Sequence, residues 1–136
     1  MQTTPAPSLR LPATLLLALA CLAAFGTGCG WLASFGGPPP GTISFASGEL
    51  LSIEPHALQA LDVASGSAIQ AMGYAEAEAS REEGRVRWQA RTAGGEPVEI
   101  RLDAKDEKTT ELRIRVGVLG DEARSRLLLE QVHRAL

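Results

Sequence analysis

Between Arg85 and Val116 the chain alternates apolar and polar residues three times over. Val86, Trp88 and Ala90 alternate with Arg85, Arg87, Gln89 and Arg91. Val98, Ile100, Leu102 and Ala104 alternate with Glu99, Arg101 and Asp103, and Thr110, Leu112, Ile114 and Val116 with Glu111, Arg113 and Arg115. A period of two marks strands with one dry face and one wet face. The spacers Gly94-Gly95 and Asp106-Glu107-Lys108 are short enough for hairpins. Strands of this kind form an antiparallel sheet whose apolar side must be covered by something else.

Two segments have the pattern to cover it. From His56 to Met72, Leu58, Leu61, Ser65, Ala68, Ile69 and Met72 fall on one helical stripe, after Glu54-Pro55 and before Gly73. Near the C-terminus, Ser125, Leu128, Leu129, Val132, Ala135 and Leu136 form a second stripe, with Asp121 placed to cap and Glu122 to complement the helix dipole. Residues 42 to 51 read as one strand. Tyr74–Arg81 reads as another: its Ala-Glu alternation has helical propensity, but Gly73 and Glu82-Glu83-Gly84 bracket it as a strand. The expected fold is an α+β two-layer sandwich, with an antiparallel sheet of about five strands and two helices on one face. The expected order is βαββββα, in the manner of a helix-grip. Trp88, Ile100, Leu112, Ile114, Leu128 and Val132 are the expected core.

The N-terminal third is of another kind. Met1 to Arg10 is polar with a single charge, Leu11 to Phe25 is almost wholly apolar, and no charge follows until Glu49. The 15-residue apolar run is shorter than the roughly 20 residues a spanning helix needs and fits a signal-peptide core. Gly26-Thr27-Gly28-Cys29 after it resembles a lipobox, where a bacterial lipoprotein is cleaved and acylated, with Gly26 in place of the usual leucine. Cys21 after Ala18-Leu19-Ala20 is a rival. Cys29 is preferred because cleavage at Cys21 would leave Leu22 to Phe25 exposed. The expected organisation is a signal peptide over 1–28, a lipidated Cys29 with a Gly/Pro-rich tether over 29–41, and an α+β domain over 42–136. The mature chain would then carry neither free thiol nor disulfide, since Cys21 and Cys29 are the only cysteines. Trp31, Leu32 and Phe35 suit either the bilayer interface or packing on the domain, and the sequence does not choose.

Gly48-Glu49-Leu50, Ala68-Ile69 with Met72-Gly73-Tyr74, and Gly117-Val118-Leu119-Gly120-Asp121-Glu122 with Ser125 carry a resemblance. The stretch from Gly48 to Leu136 resembles a family of small bacterial lipoproteins classed only as a domain of unknown function, number 3568 of that series. Leu119 departs from it where an aromatic is commoner, and so does the triple proline, where small residues are expected. The resemblance implies this fold and export. It implies no activity.

Composition narrows the function further. A net charge of −3, a pI of about 5.4 and 4% aromatic residues argue against a nucleic-acid partner. His56 and His133 are the only histidines and are far apart in sequence, so no zinc-ligand spacing exists and no metal or cofactor is expected. Ser125 lacks a nucleophile-elbow context, and Glu82-Glu83 reads as a hairpin tip. No catalytic residue is assigned and the chain is not expected to be an enzyme. One cluster stands out: Arg85, Arg87, Arg91, Arg101, Arg113 and Arg115 on the wet face, against Glu99, Asp103 and Glu111. Arg87, Arg101 and Arg113 on adjacent strands would form an anion-binding face for a lipid phosphate or an acidic protein segment; otherwise the charges pair across strands, with Glu76 and Glu78 contributing. The expected function is a membrane-anchored envelope lipoprotein acting as an interaction or structural module, sited at the outer membrane facing the periplasm because Gly30 rather than aspartate follows Cys29. The partners are the membrane, through the lipid anchor, and an unknown envelope protein or anionic lipid. The alternative is a small carrier for an apolar or anionic ligand.

Overall fold

The computed structural model describes residues 37–136. The expected signal peptide and Cys29 lie outside the described residues, as does most of the expected tether. A compact unit runs from Pro38 to Leu136. Its elements are β1 (Ile43–Ala46), β2 (Glu49–Glu54), α1 (Leu58–Ala71), β3 (Ala75–Glu82), β4 (Arg85–Arg91), β5 (Pro97–Ala104), β6 (Thr110–Val116) and α2 (Glu122–Ala135). The six strands form one antiparallel sheet in the order β1-β2-β6-β5-β4-β3.

The described fold is α+β as expected, but the sheet has six strands and the order is ββαββββα. The single strand expected over 42–51 is a hairpin. Ser47 and Gly48 both adopt positive φ, 54° and 78°, which is the backbone a two-residue turn of primed type requires. Ala46 and Glu49 close the ladder on either side of it. Gly48 therefore belongs to the turn, and Glu49-Leu50 opens β2. Before β1, Thr42 turns on Pro39, whose carbonyl accepts from both its amide and its hydroxyl, and the Gly41 amide donates to Ile53.

β3 to β6 form a meander, and β2 then pairs with β6. That crossover places a row of residues on each face. Leu50, Ile114, Ile100, Trp88 and Ala79 are successive partners on the side toward the helices; Leu51, Arg113, Arg101, Arg87 and Ser80 are successive partners on the other. α1 packs over β4 and β5, α2 over β2 and β6, and the two helices touch each other. The core between the layers holds Leu50, Leu61, Ile69, Ile100, Leu102, Leu112, Ile114, Leu128 and Val132, all essentially without solvent exposure. The expected core residues all lie here, Trp88 at its margin.

Trp88 sits at the margin because its indole serves two purposes. Its ring lies so close to Gly66 of α1 that a Cβ there would be 2.9 Å from it. Its Nε1 donates to Asp62 Oδ1 at 2.9 Å. Arg81 of β3 donates to the other Asp62 oxygen at 2.7 Å and stacks over the indole, 5.5 Å from the ring centroid. One carboxylate thus ties α1 to both β3 and β4. At the other helix, Asp121 caps α2 by accepting from the Arg124 amide at 3.0 Å.

Candidate functional site

The strands place Arg87, Arg101 and Arg113 directly opposite one another: Arg87 pairs with Arg101 and Arg101 with Arg113 in the ladder. Like charges so placed repel. The carboxylates that relieve this repulsion come from three strands. Glu99 lies 3.2 Å from Arg87 and 3.6 Å from Arg101. Glu49, at the start of β2, bonds Arg101 and lies 3.8 Å from Arg113 and 3.1 Å from Arg115. Glu111 accepts from Arg113 at 2.7 Å and from Lys105 at 2.8 Å. The result is an alternating chain across the sheet: Arg87, Glu99, Arg101, Glu49, Arg113, Glu111, Lys105. Including Arg115, five cations share three carboxylates.

The remaining arginines of the face have their own partners, Arg85 with Asp103 and Arg91 with Glu76. All six arginines expected on the wet face are therefore there, and each meets a carboxylate. Glu49 is absent from the carboxylates expected from sequence, because only the β2–β6 pairing, between strands far apart in the chain, brings it over the arginines. Glu111 is the best-organised acid of the group. Partial burial works against its charge, but hydrogen bonds from Lys105 and Arg113 outweigh that and hold its carboxyl below the usual range. Glu111 in turn keeps Arg113 firmly protonated.

A second polar cluster lies on the helix side. Glu54, 4% exposed, accepts from the Ser52 hydroxyl, and His133 Nε2 of α2 lies 3.0 Å from the same oxygen, Oε1. A nucleophilic relay needs the histidine between serine and carboxylate. Here the carboxylate is in the middle, so the arrangement ties the last turn of α2 to β2. His133 is thus a surface-exposed histidine that also partners a buried acid. Ser125, the other polar residue weighed from sequence, is fully buried in α2. Among the described residues no group of three potential metal ligands occurs, and no helix is long and apolar enough to cross a membrane.

Residues 12–135 match a family described as "Protein of unknown function (DUF3568)". The chain belongs to this family. Among curated proteins none matches it. Membership in DUF3568 covers almost the whole described unit, including the Glu49 turn, the arginine row and the Gly117–Glu122 segment.

Proposed function

We propose that this DUF3568 chain is a lipid-anchored module of the bacterial cell envelope, held at Cys29, that docks an acidic segment of a protein partner on the outer face of its sheet. The docking reading rests on one observation: five cations share three carboxylates in a chain across the middle of the sheet, on the face opposite the helices. Partly exposed pairs of this kind contribute modestly, about 1–2 kcal/mol each, and stability alone does not call for guanidiniums placed opposite one another. A partner carboxylate laid along Arg87, Arg101 and Arg113 would extend the alternation, and arginine offers it two parallel donors. Strands are about 4.8 Å apart, so the row spans about 10 Å. That length suits several carboxylates on one segment better than a single phosphate.

The anchor reading is supported by the run Leu11–Phe25 leading into Gly26-Thr27-Gly28-Cys29. Three acyl chains on one cysteine would exceed the two membrane signals that stable attachment needs. Gly30 favours the outer membrane, with the domain in the periplasm. The reading includes no metal, cofactor, nucleic acid or catalytic step.

Mass spectrometry of the mature N-terminus tests the anchor. A lipidated Cys29 is expected; a start at Cys21, or an unmodified soluble form, overturns it. A photo-crosslinking residue at Ser80, beside Arg87, tests the face in native membranes. Crosslinks to a protein that disappear with Arg87→Gln, Arg101→Gln and Arg113→Gln together are expected. Crosslinks to lipid instead would assign the row to phosphate, and crosslinks indifferent to the arginines would remove it from the binding account.

A further inference from the structure

The β6–α2 turn carries the two most exposed large apolar residues of the described unit, Val118 at 76% and Leu119 at 89%. A lone exposed leucine is ordinary. This pair is adjacent, and its backbone is locked. Gly117 donates its amide to Pro97 at 2.7 Å. Gly120 lies so close to the β1–β2 turn that a Cβ on it would stand 2.0 Å from the Gly48 carbonyl oxygen, and a Cβ on Gly48 would stand 2.2 Å from the Leu119 oxygen. Gly48 and Gly120 both hold positive φ, 78° and 83°. The tip is therefore presented outward by rigid packing, and its side chains add almost nothing to the core beneath.

A groove flanks the tip on each side, and each is bordered by one half-exposed arginine. Arg115 and Glu99 border the groove beside Gly117 and Val118, and Arg124 borders the one beside Leu119 and Gly120 together with Glu96 and Asp121. Arg115 is paired with Glu49 and Arg124 with Glu96. An apolar point with paired charges of both signs behind it matches the layering of a bilayer surface, acyl chains first and polar headgroups next. The chain itself supplies that surface. The apolar run Leu11–Phe25 and Cys29 precede the sheet, with nine residues from Gly30 to Pro38 before the Pro39–Gly41 segment that is bonded into the domain. Extended, those residues would reach about 30 Å, about twice the roughly 13 Å of a four-residue strand such as β1. A tether of that length keeps the tip at high effective concentration near the membrane, so an insertion too weak to recruit a free protein is enough to orient an anchored one.

We infer that Val118 and Leu119 insert into the interfacial layer of the bilayer that holds the anchor, fixing how the domain stands on the membrane. The inference rests on the lipid-anchor reading. The test uses the full chain, purified from membranes and reconstituted in vesicles of phosphatidylethanolamine and phosphatidylglycerol. Val118→Cys and Leu119→Cys are labelled with a small environment-sensitive fluorophore, and Val63→Cys, 66% exposed on α1, is the control. Blue-shifted emission quenched by brominated lipid at 118 and 119, but not at 63, is the expected result. Vesicle flotation with all three labels equally quenched by aqueous iodide overturns the inference and leaves the anchor intact. If the chain does not float, the anchor reading falls, and a hexahistidine tag in place of residues 1–29 on nickel-chelating lipid decides the tip alone. Quenching at 118 and 119 on that tether supports insertion, and its absence overturns it.

Discussion

Arg101 and Glu49 stand on strands that are not neighbours, yet their side chains bond across the strand between them. Arg101 is on β5 and Glu49 on β2, with β6 in the middle. Glu49 spans that gap because it begins β2 directly after the Ser47-Gly48 turn, on the face of Arg113 and Arg115. The repulsion built into the arginine row by the meander is answered by a residue that the meander does not contain.

Ile114 tests the layer assignment. It is fully buried between Leu50 and Ile100 on the helix side. Ile114→Ala is expected to cost about 2–5 kcal/mol in urea unfolding, a large share of a typical domain's roughly 5–15 kcal/mol. A cost below about 1 kcal/mol would mean that the site collapses around the smaller residue or that the register is different.

β4, β5 and β6 were legible because each keeps the same parity, apolar residues toward the helices and charged residues away. β3 breaks it: its register shifts between Ala75 and Glu78, and Arg81 lies opposite Val86 on the helix side, bonded to Asp62. Ile100, Leu112 and Ile114 lie where alternation places them. The β1–β2 hairpin was not legible, for a reason its residues show. In β2 the helix side carries Ser52 and Glu54, both buried, and the outer side carries Leu51 and Ile53. The pattern is inverted, because Glu54 has His133 and Ser52 as partners and needs no water. Those partners come from 79 residues away and from its own strand, and no periodicity encodes them. The arginines of the outer face could be read from alternation. The carboxylate joining them could not, since it depends on which strand pairs with β6.

The contact between Gly48 and Gly120 gives a second test. Gly120→Ala must move backbone, because the new Cβ would overlap the Gly48 carbonyl. Gly95 has a similar φ of 79°, but a Cβ added there would meet nothing within 4 Å. Gly95→Ala should therefore lose only the left-handed strain, about 1–2 kcal/mol, and Gly120→Ala clearly more. Equal losses in thermal or urea unfolding would show that the two turns are not in rigid contact.

Acid sensitivity should centre on Glu111. Its carboxyl is held below the usual range in the folded state by Lys105 and Arg113, against the opposing effect of burial. A depressed folded value favours the native state above the unfolded glutamate pKa of about 4.3. That contribution fades as pH falls from there through the lower folded value. Glu111→Gln should therefore be less stable than the natural chain at neutral pH, and the difference should shrink steadily below about pH 4.3. A difference that stays constant from neutral pH well into the acid range would show that Glu111 matters through packing and not through its charge.

Glu49→Gln separates a structural arginine row from one able to bind anions. The substitution keeps the shape and removes the charge that Arg101, Arg113 and Arg115 share. Charge-assisted bonds of this kind, only partly exposed, suggest a loss of about 1–2 kcal/mol. The informative measurement is the response to added anions. In the natural chain five cations share three carboxylates with Glu49 at the centre, so sulfate at equal ionic strength should raise the melting temperature only slightly more than chloride does. In Glu49→Gln three guanidiniums lose their shared acceptor, and sulfate should restore more stability than chloride does. The acidic segment proposed as partner acts on the same chemistry, so a peptide carrying several carboxylates should stabilise the variant at lower concentration than sulfate. If the variant loses no stability and shows no preference among anions, Glu49 is not balancing the row and the docking face loses its physical basis.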